Sequence, residues 1–193
     1  MATAVRNDVF NNWQYLPDSV KPDLLLKVVI LGTECTGKTT LTEKLAKYFN
    51  CSFVSEAGRD IIANSNSFTY DDLYLVATEH AKRIDKSILA DSPLVIIDTD
   101  IHTTKSYSLF TFEKELEIST DIYNSNRANI YLYLNNDVEY IQDGTRLREA
   151  ERNLSDNRVN VIRYECDRVK AELRPDYEGE LKIYKIIRNV AKI

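Results

Sequence analysis

Along the chain, short runs of apolar residues alternate with longer stretches in which apolar positions recur every three or four residues. That is the pattern of strands alternating with amphipathic helices. Residues 24–31 (LLLKVVIL) form a nearly continuous branched apolar run, as expected of a strand buried on both faces. The run stops at Gly32, and a helical pattern spans residues 38–49, with Leu41, Leu45 and Tyr48 on its expected buried face. Residues 52–55 predict a second short strand, and a helix follows from about 57 to 63. Thr69 opens a long helix with a capping signature, because Asp72 sits three residues on. Leu73, Val76, His80, Ile84 and Ile88 line one face of that helix, which ends before Pro93. Residues 94–97 (LVII) predict a third buried strand ending in Asp98-Thr99-Asp100, then one or two helices over about 103–124. Residues 130–134 (IYLYL) predict a fourth strand, and helical patterns cover 155–172 and 177 onward. Residues 1–24 read as an irregular extension packed on the body. Pro17 and Pro22 break any helix there, and Trp13, Tyr15 and Leu16 are its expected anchors.

Strands alternating with helices predict an α/β fold, a three-layer domain over residues 25–193 around a parallel sheet of about four or five strands. Composition sharpens this picture. Of the 193 residues, 44% are apolar and 28% charged, which suits a single globular domain and excludes a disordered chain. A net charge of −5, from 25 Lys+Arg against 30 Asp+Glu, speaks against a nucleic-acid partner. No apolar run reaches the roughly 18 residues of a membrane span, and the N-terminus lacks the apolar stretch of a signal peptide. Cys35, Cys51 and Cys166 show no paired spacing, which suits a reducing cytosol, and two histidines exclude a His-rich metal site. A soluble, cytoplasmic chain is expected.

In parallel sheets of this kind ligands bind beyond the carboxyl ends of the strands, so the residues after each strand carry the chemistry. After the first comes Gly32-Thr33-Glu34-Cys35-Thr36-Gly37-Lys38-Thr39-Thr40, the pattern G-x-x-x-x-G-K-[ST] between a predicted strand and a predicted helix. Its glycines let the backbone wrap a phosphate with successive N–H groups turned inward, and the helix N-terminus adds favourable dipole charge. Lys38 would reach the β- and γ-phosphates and Thr39 would hold magnesium through its hydroxyl. A tight turn with a surface lysine does not account for four specified positions in the right context. The loop therefore predicts a purine triphosphate with Mg2+. After the third strand, Asp98 fits the carboxylate that completes the magnesium shell. Asp100 fits either a catalytic carboxylate or a cap for the next helix.

After the second strand, Glu56 could accept the proton of an acceptor hydroxyl or fix that hydroxyl in line, and Arg59 could bind substrate or phosphate. The competing reading is an acid at an ordinary helix N-terminus. After the fourth strand, Arg146, Arg148, Arg152 and Arg158 predict a lid, with Arg146 the first choice for neutralising a transferring phosphoryl group. The competing reading is a solvated helix, since Glu149 and Glu151 interleave with these arginines. Asn135-Asn136-Asp137 is not the guanine-reading N-K-x-D, which argues against a GTPase switch. His80 reads as a packed core histidine, and His102 and Cys35 take no catalytic role.

Taken in order, GTECTGKTT, SEAGRD, IIDTDIHTTK and LNNDVEYIQDGTR resemble the nicotinamide riboside kinase domain of NadR-type NAD-salvage proteins, over almost the whole chain. The resemblance implies ATP-dependent phosphorylation of the ribose 5′-hydroxyl of nicotinamide riboside, giving nicotinamide mononucleotide. It implies nucleotide binding by Gly32, Gly37, Lys38 and Thr39, with Glu56, Arg59, Asp98, Asp100, Asp143 and Arg146 around the acceptor and lid. The H-x-G-H signature of the adenylyltransferase in bifunctional members has no counterpart among two histidines at 80 and 102. A separate adenylyltransferase is therefore a candidate partner, beside the nucleoside itself and a second copy of the chain. Two aromatics that sandwich the nicotinamide ring in some members correspond here to Ser55 and Lys86, which leaves Tyr107 and Tyr140 as aromatic candidates for the acceptor pocket. The alternatives are a kinase for another nucleoside or nucleotide, and a regulatory P-loop ATPase acting through a protein partner.

Overall fold

The computed structural model describes Val5 and residues 7–62, 67–88 and 92–134. A 3-10 turn at Trp13–Tyr15 and a single helical turn, α1 (Lys21–Leu24), lead into β1 (Leu26–Gly32). There follow α2 (Lys38–Phe49), β2 (Ser52–Val54), α3 (Gly58–Ile61), α4 (Tyr70–Ser87), β3 (Leu94–Asp98), α5 (Ile101–Phe112), α6 (Thr120–Asn126) and β4 (Ile130–Leu134). The four strands form one parallel sheet in the order β2-β3-β1-β4. Its register sets Ile30 beside Asp98 and Gly32 beside Leu134, so the carboxyl ends of the three longer strands share one edge.

The sheet is covered on both faces, which is why β1 and β3 are apolar at nearly every position. Leu26, Val28 and Ile30 point with Leu94, Ile96 and Ile130 toward Leu45 and Ala46 of α2. Val29, Leu31, Val95, Ile97 and Tyr131 point the other way, toward Ile84 of α4 and Trp13. A third cluster joins Leu73 and Ala77 of α4 to Ile101 of α5 and to Leu116, beside the carboxyl edge of the sheet. Among the described residues no helix is long and apolar enough to cross a membrane.

Several elements depart from the sequence reading. The first strand begins at Leu26 rather than Leu24, because Pro22 starts the turn α1 and Leu25 ends it in an extended conformation. Tyr48 is 64% exposed; Thr42, Leu45 and Ala46 form the buried face of α2 instead. Tyr15 is 54% exposed and lies outside the core clusters, whereas Trp13 is buried to 2% in the core. The helix expected over 57–63 is one turn, Gly58–Ile61, and the helices expected over 103–124 are two, the first starting at Ile101 under an Asp100 cap. The long helix keeps its predicted cap: Thr69 and Asp72 bond reciprocally as a capping box. The helical patterns at 155–172 and beyond 177 lie outside the described residues.

Candidate active site

The loop after β1 has the backbone its glycines predict. Gly32 has φ +150°, and a Cβ there would meet the Leu134 carbonyl oxygen and the Thr36 Oγ1 at 2.8 Å, so only glycine fits. Cys35 (φ 62°) and Gly37 (φ 82°) are left-handed as well, and Gly37 is the N-cap of α2. The Thr33 carbonyl gathers the loop, accepting from Thr36 Oγ1 at 2.9 Å and from Lys38 Nζ at 2.8 Å. Thr40 is exposed, on the outer side of α2. Thr39 Oγ1 donates to Asp98 Oδ2 at 2.6 Å, which joins the first turn of α2 to the end of β3.

Around Lys38 stand Glu34, Glu56 and Asp98. Burial holds the Lys38 ammonium below the ordinary lysine range, against the pull of those three carboxylates. Burial likewise pushes the Glu56 carboxyl up, Asp98 adds to that, and Lys38 and Arg59 oppose it. Arg59 Nε donates to Glu56 Oε2 at 3.3 Å while the rest of Arg59 stays exposed. Beyond β3 the chain turns sharply at Thr99 (φ 68°), whose carbonyl accepts from His80 Nε2 at 3.0 Å. That bond requires the proton on Nε2, and burial keeps the ring neutral, its pKa lowered to about 4. Asp100 is 2% exposed and its Oδ1 accepts from the His102 N–H at 2.9 Å, capping α5. Tyr107 of α5 donates its hydroxyl to Glu34 Oε1 at 3.0 Å, reaching across to the phosphate loop.

One cavity of about 310 Å³ collects these groups, large enough for part of a nucleoside-sized ligand. Gly32, Glu34, Cys35 and Lys38 of the phosphate loop line it together with Glu56 and Arg59, and Asp100, Thr103, Thr104 and Tyr107 contribute from α5 and the residue before it. Ile62, Phe68, Leu73 and Val76 supply its apolar lining, and His80 lines it as well. Asp98 and Thr39 adjoin through their mutual bond. Thr33 and Thr36 are buried inside the loop. Tyr140, Asp143 and Arg146 lie outside the described residues. Ser55 is exposed with its Oγ accepting from Arg83 at 3.2 Å, and Lys86 is exposed; neither lines the cavity. Sequence reading missed the wall residues Ile62 and Phe68, which sit outside any strong periodic pattern, and it gave Leu73 and Val76 to the core alone.

A phosphate-wrapping loop between a central parallel strand and its helix, with a lysine, a threonine and acids from two neighbouring strand ends, defines a P-loop domain of the fold shared by small kinases. The chain belongs to the family described as an AAA domain, which matches residues 27–178. It is 29% identical, over 198 aligned residues, to the trifunctional NAD biosynthesis/regulator proteins NadR of Salmonella typhimurium and Escherichia coli. Those alignments cover 96% of this chain and 48% of each relative, so the chain spans about half the length of the curated relatives it matches. Among solved structures, a NadR protein in complex with NR shares the fold with a TM-score of 0.69 at 22% identity, over 92% of this chain and 53% of that one. Thymidylate kinase from Ehrlichia chaffeensis superposes with a TM-score of 0.50 at 17% identity, over 72% of this chain and 87% of that one. The resemblance carried by the motifs is thus a similarity along almost the whole chain.

Proposed function

We propose that this protein is an ATP-dependent kinase that phosphorylates the ribose 5′-hydroxyl of a nucleoside, nicotinamide riboside first, giving nicotinamide mononucleotide. One observation carries the reading: Lys38 and Glu56, which interact electrostatically, line the same cavity as the apolar side chains of Ile62, Phe68, Leu73 and Val76. The similarity to NadR proteins, one of them solved with NR and another with NAD and AMP-PNP, supports the choice of acceptor and of ATP.

In this reading the loop from Gly32 to Thr40 binds the triphosphate through its backbone N–H groups, and Lys38 releases the Thr33 carbonyl to take the β- and γ-phosphates. The Thr39 hydroxyl and Asp98, already bonded to each other, are a fitting oxygen pair for magnesium, which when bound would neutralise phosphate charge. The acceptor lies in the cavity with its ring against Phe68 and Val76 and its ribose near Asp100 and Tyr107. Its 5′-oxygen forms a bond to the γ-phosphorus as the bond from that phosphorus to the β–γ bridging oxygen breaks. The hydroxyl proton passes to Glu56, whose pKa burial raises, making it a stronger base than an exposed carboxylate, and ADP leaves. Asp100, which lines the same cavity, is the alternative carboxylate for positioning the acceptor hydroxyl. Arg59, Asp143, Tyr140 and Arg146 are assigned to substrate and lid. Residues 1–24 serve as a packed extension of a domain over 25–193, the chain works in the cytoplasm, and a second copy or a separate adenylyltransferase is its candidate protein partner.

A second reading, a kinase for a different nucleoside, is favoured by the positions of Ser55 and Lys86. Neither lines the cavity, so no aromatic pair stands at those positions, and the lining supplies Phe68 and Tyr107 instead. The test is coupled ATP turnover with magnesium, comparing nicotinamide riboside with a nucleoside panel and a no-acceptor control. ADP release that depends on nicotinamide riboside and yields nicotinamide mononucleotide by mass supports the first reading. Dependence on another nucleoside replaces the substrate. Turnover that no acceptor stimulates, with ATP still bound, points to a regulatory ATPase.

A further inference from the structure

Glu56 sits on a turn with little structure of its own. The helix that follows it, α3, is one turn long, too short to hold its shape unaided. The side chain that grips this turn comes from α4. Arg83 Nη1 donates to the Glu56 carbonyl at 3.3 Å, to Ser55 Oγ at 3.2 Å and, more weakly, to the Ser55 carbonyl at 3.5 Å. Its Nη2 pairs with Asp60 Oδ2 at 2.7 Å on the far side of the turn. Its Nε is fixed by Glu79 Oε1 at 3.1 Å, one helical turn back on α4. The planar guanidinium therefore spans the turn from residue 55 to residue 60 while its own rotamer is locked.

We infer that Arg83 is a positioning residue: by holding the Glu56 carbonyl and Asp60 together, it fixes the direction in which the Glu56 carboxylate leaves the backbone, toward Lys38. This rests on the reading of Glu56 as the acceptor-side carboxylate. Arg83 is not among the residues lining the cavity, so its effect on transfer runs through the turn that carries Glu56. Its platform is firm. On the same side of α4 one turn earlier, His80 holds the Thr99 turn between Asp98 and Asp100. One helix thus sets both acidic turns of the site.

The test uses the full chain with Arg83→Gln, Arg83→Lys and Asp60→Asn, and Lys82→Gln, on the exposed side of α4, as control. Readouts are acceptor-dependent kcat, KM for ATP and for acceptor, the thermal midpoint, and amide hydrogen exchange over residues 53–61. Arg83→Gln is expected to lower kcat by about ten- to a hundredfold, the loss that follows from misplacing a reacting group by roughly 1 Å, with KM for ATP within about twofold. Exchange over 53–61 should rise at least about tenfold while α2 keeps its protection. Arg83→Lys keeps a charge but cannot span the turn, and should stay within about threefold of Arg83→Gln. Asp60→Asn, which keeps Arg83 and removes an exposed partner, should fold normally and lose about threefold in kcat; it decides the matter if Arg83→Gln does not fold. An unchanged kcat, full rescue by lysine, or a loss matched by weaker ATP binding would overturn the inference. If the wild type shows no acceptor-dependent turnover, the kinase reading fails separately. Hydrogen exchange then decides: an unchanged 53–61 segment in Arg83→Gln overturns the positioning role, and a loosened one supports it.

Discussion

An ammonium as enclosed as that of Lys38 is held in place by what surrounds it, here the Thr33 carbonyl and three carboxylates. Lys38→Ala should remove acceptor-dependent turnover by at least about a hundredfold, since it deletes the charge aimed at the transferring group. Circular dichroism and a single thermal transition should show the fold retained. Glu56 gives the sharper prediction, because burial raises its pKa. A base must be ionised to act, so wild-type kcat should rise with pH through the Glu56 titration and then level. Glu56→Gln should lower kcat by about 10² to 10⁴ and flatten that acidic limb, read from a pH–rate profile. The phosphate loop was legible from sequence because its constraint is local: a position with φ +150° and two oxygens 2.8 Å from a would-be Cβ admits glycine alone. Arg83 was not legible. Its sequence neighbourhood shows a surface pair with Glu79, while its other partners lie at positions 55–60 and meet it only through the packing of α4 beside β2.

Helix α4 was read almost in full because its signals are dense: a capping box, then Leu73, Val76, His80 and Ile84 at helical spacing, all buried. Helix α3 was overread, because SEAGRD and the residues after it fit a helical pattern whereas Ile62 turns extended and enters the cavity wall. His80 couples α4 to pH. Its ring is neutral in the folded protein with a pKa of about 4, against 6.5 for an unconstrained histidine, so between those values the unfolded chain binds the extra proton. The stability this contributes is complete above pH 6.5 and is lost as pH falls toward 4. From pH 6.5 to 5 the loss attributable to His80 is about 2 kcal/mol. His80→Gln keeps a donor for the Thr99 carbonyl but has nothing to titrate. Urea unfolding at the two pH values should show the variant losing about 2 kcal/mol less than the wild type; equal losses would place the acid sensitivity elsewhere.

At the scale of the whole molecule, the α/β reading followed from alternation alone, since runs such as LVII have no place except between two covering layers. The relation of residues 1–24 to the body is a question of tertiary packing, which periodicity does not encode. Trp13 belongs to the same cluster as Val29, Ile97, Tyr131 and Ile84, under the central strands, whereas Tyr15 two residues on faces solvent. A side chain of that size at 2% exposure is core whatever its place in the chain. The segment should therefore fold and unfold with the sheet. Trp13→Ala is expected to cost about 3–5 kcal/mol, measured by urea denaturation. Because Trp13 is the single tryptophan, its fluorescence reports the docking of this segment directly. In the wild type the red shift of that emission should coincide with the loss of far-UV dichroism, as one cooperative unit requires. A fluorescence transition at lower urea than the dichroism transition would instead mean that the segment is an appendage, undocking from a sheet that stands without it. Trp13→Ala would then leave the dichroism midpoint nearly unmoved.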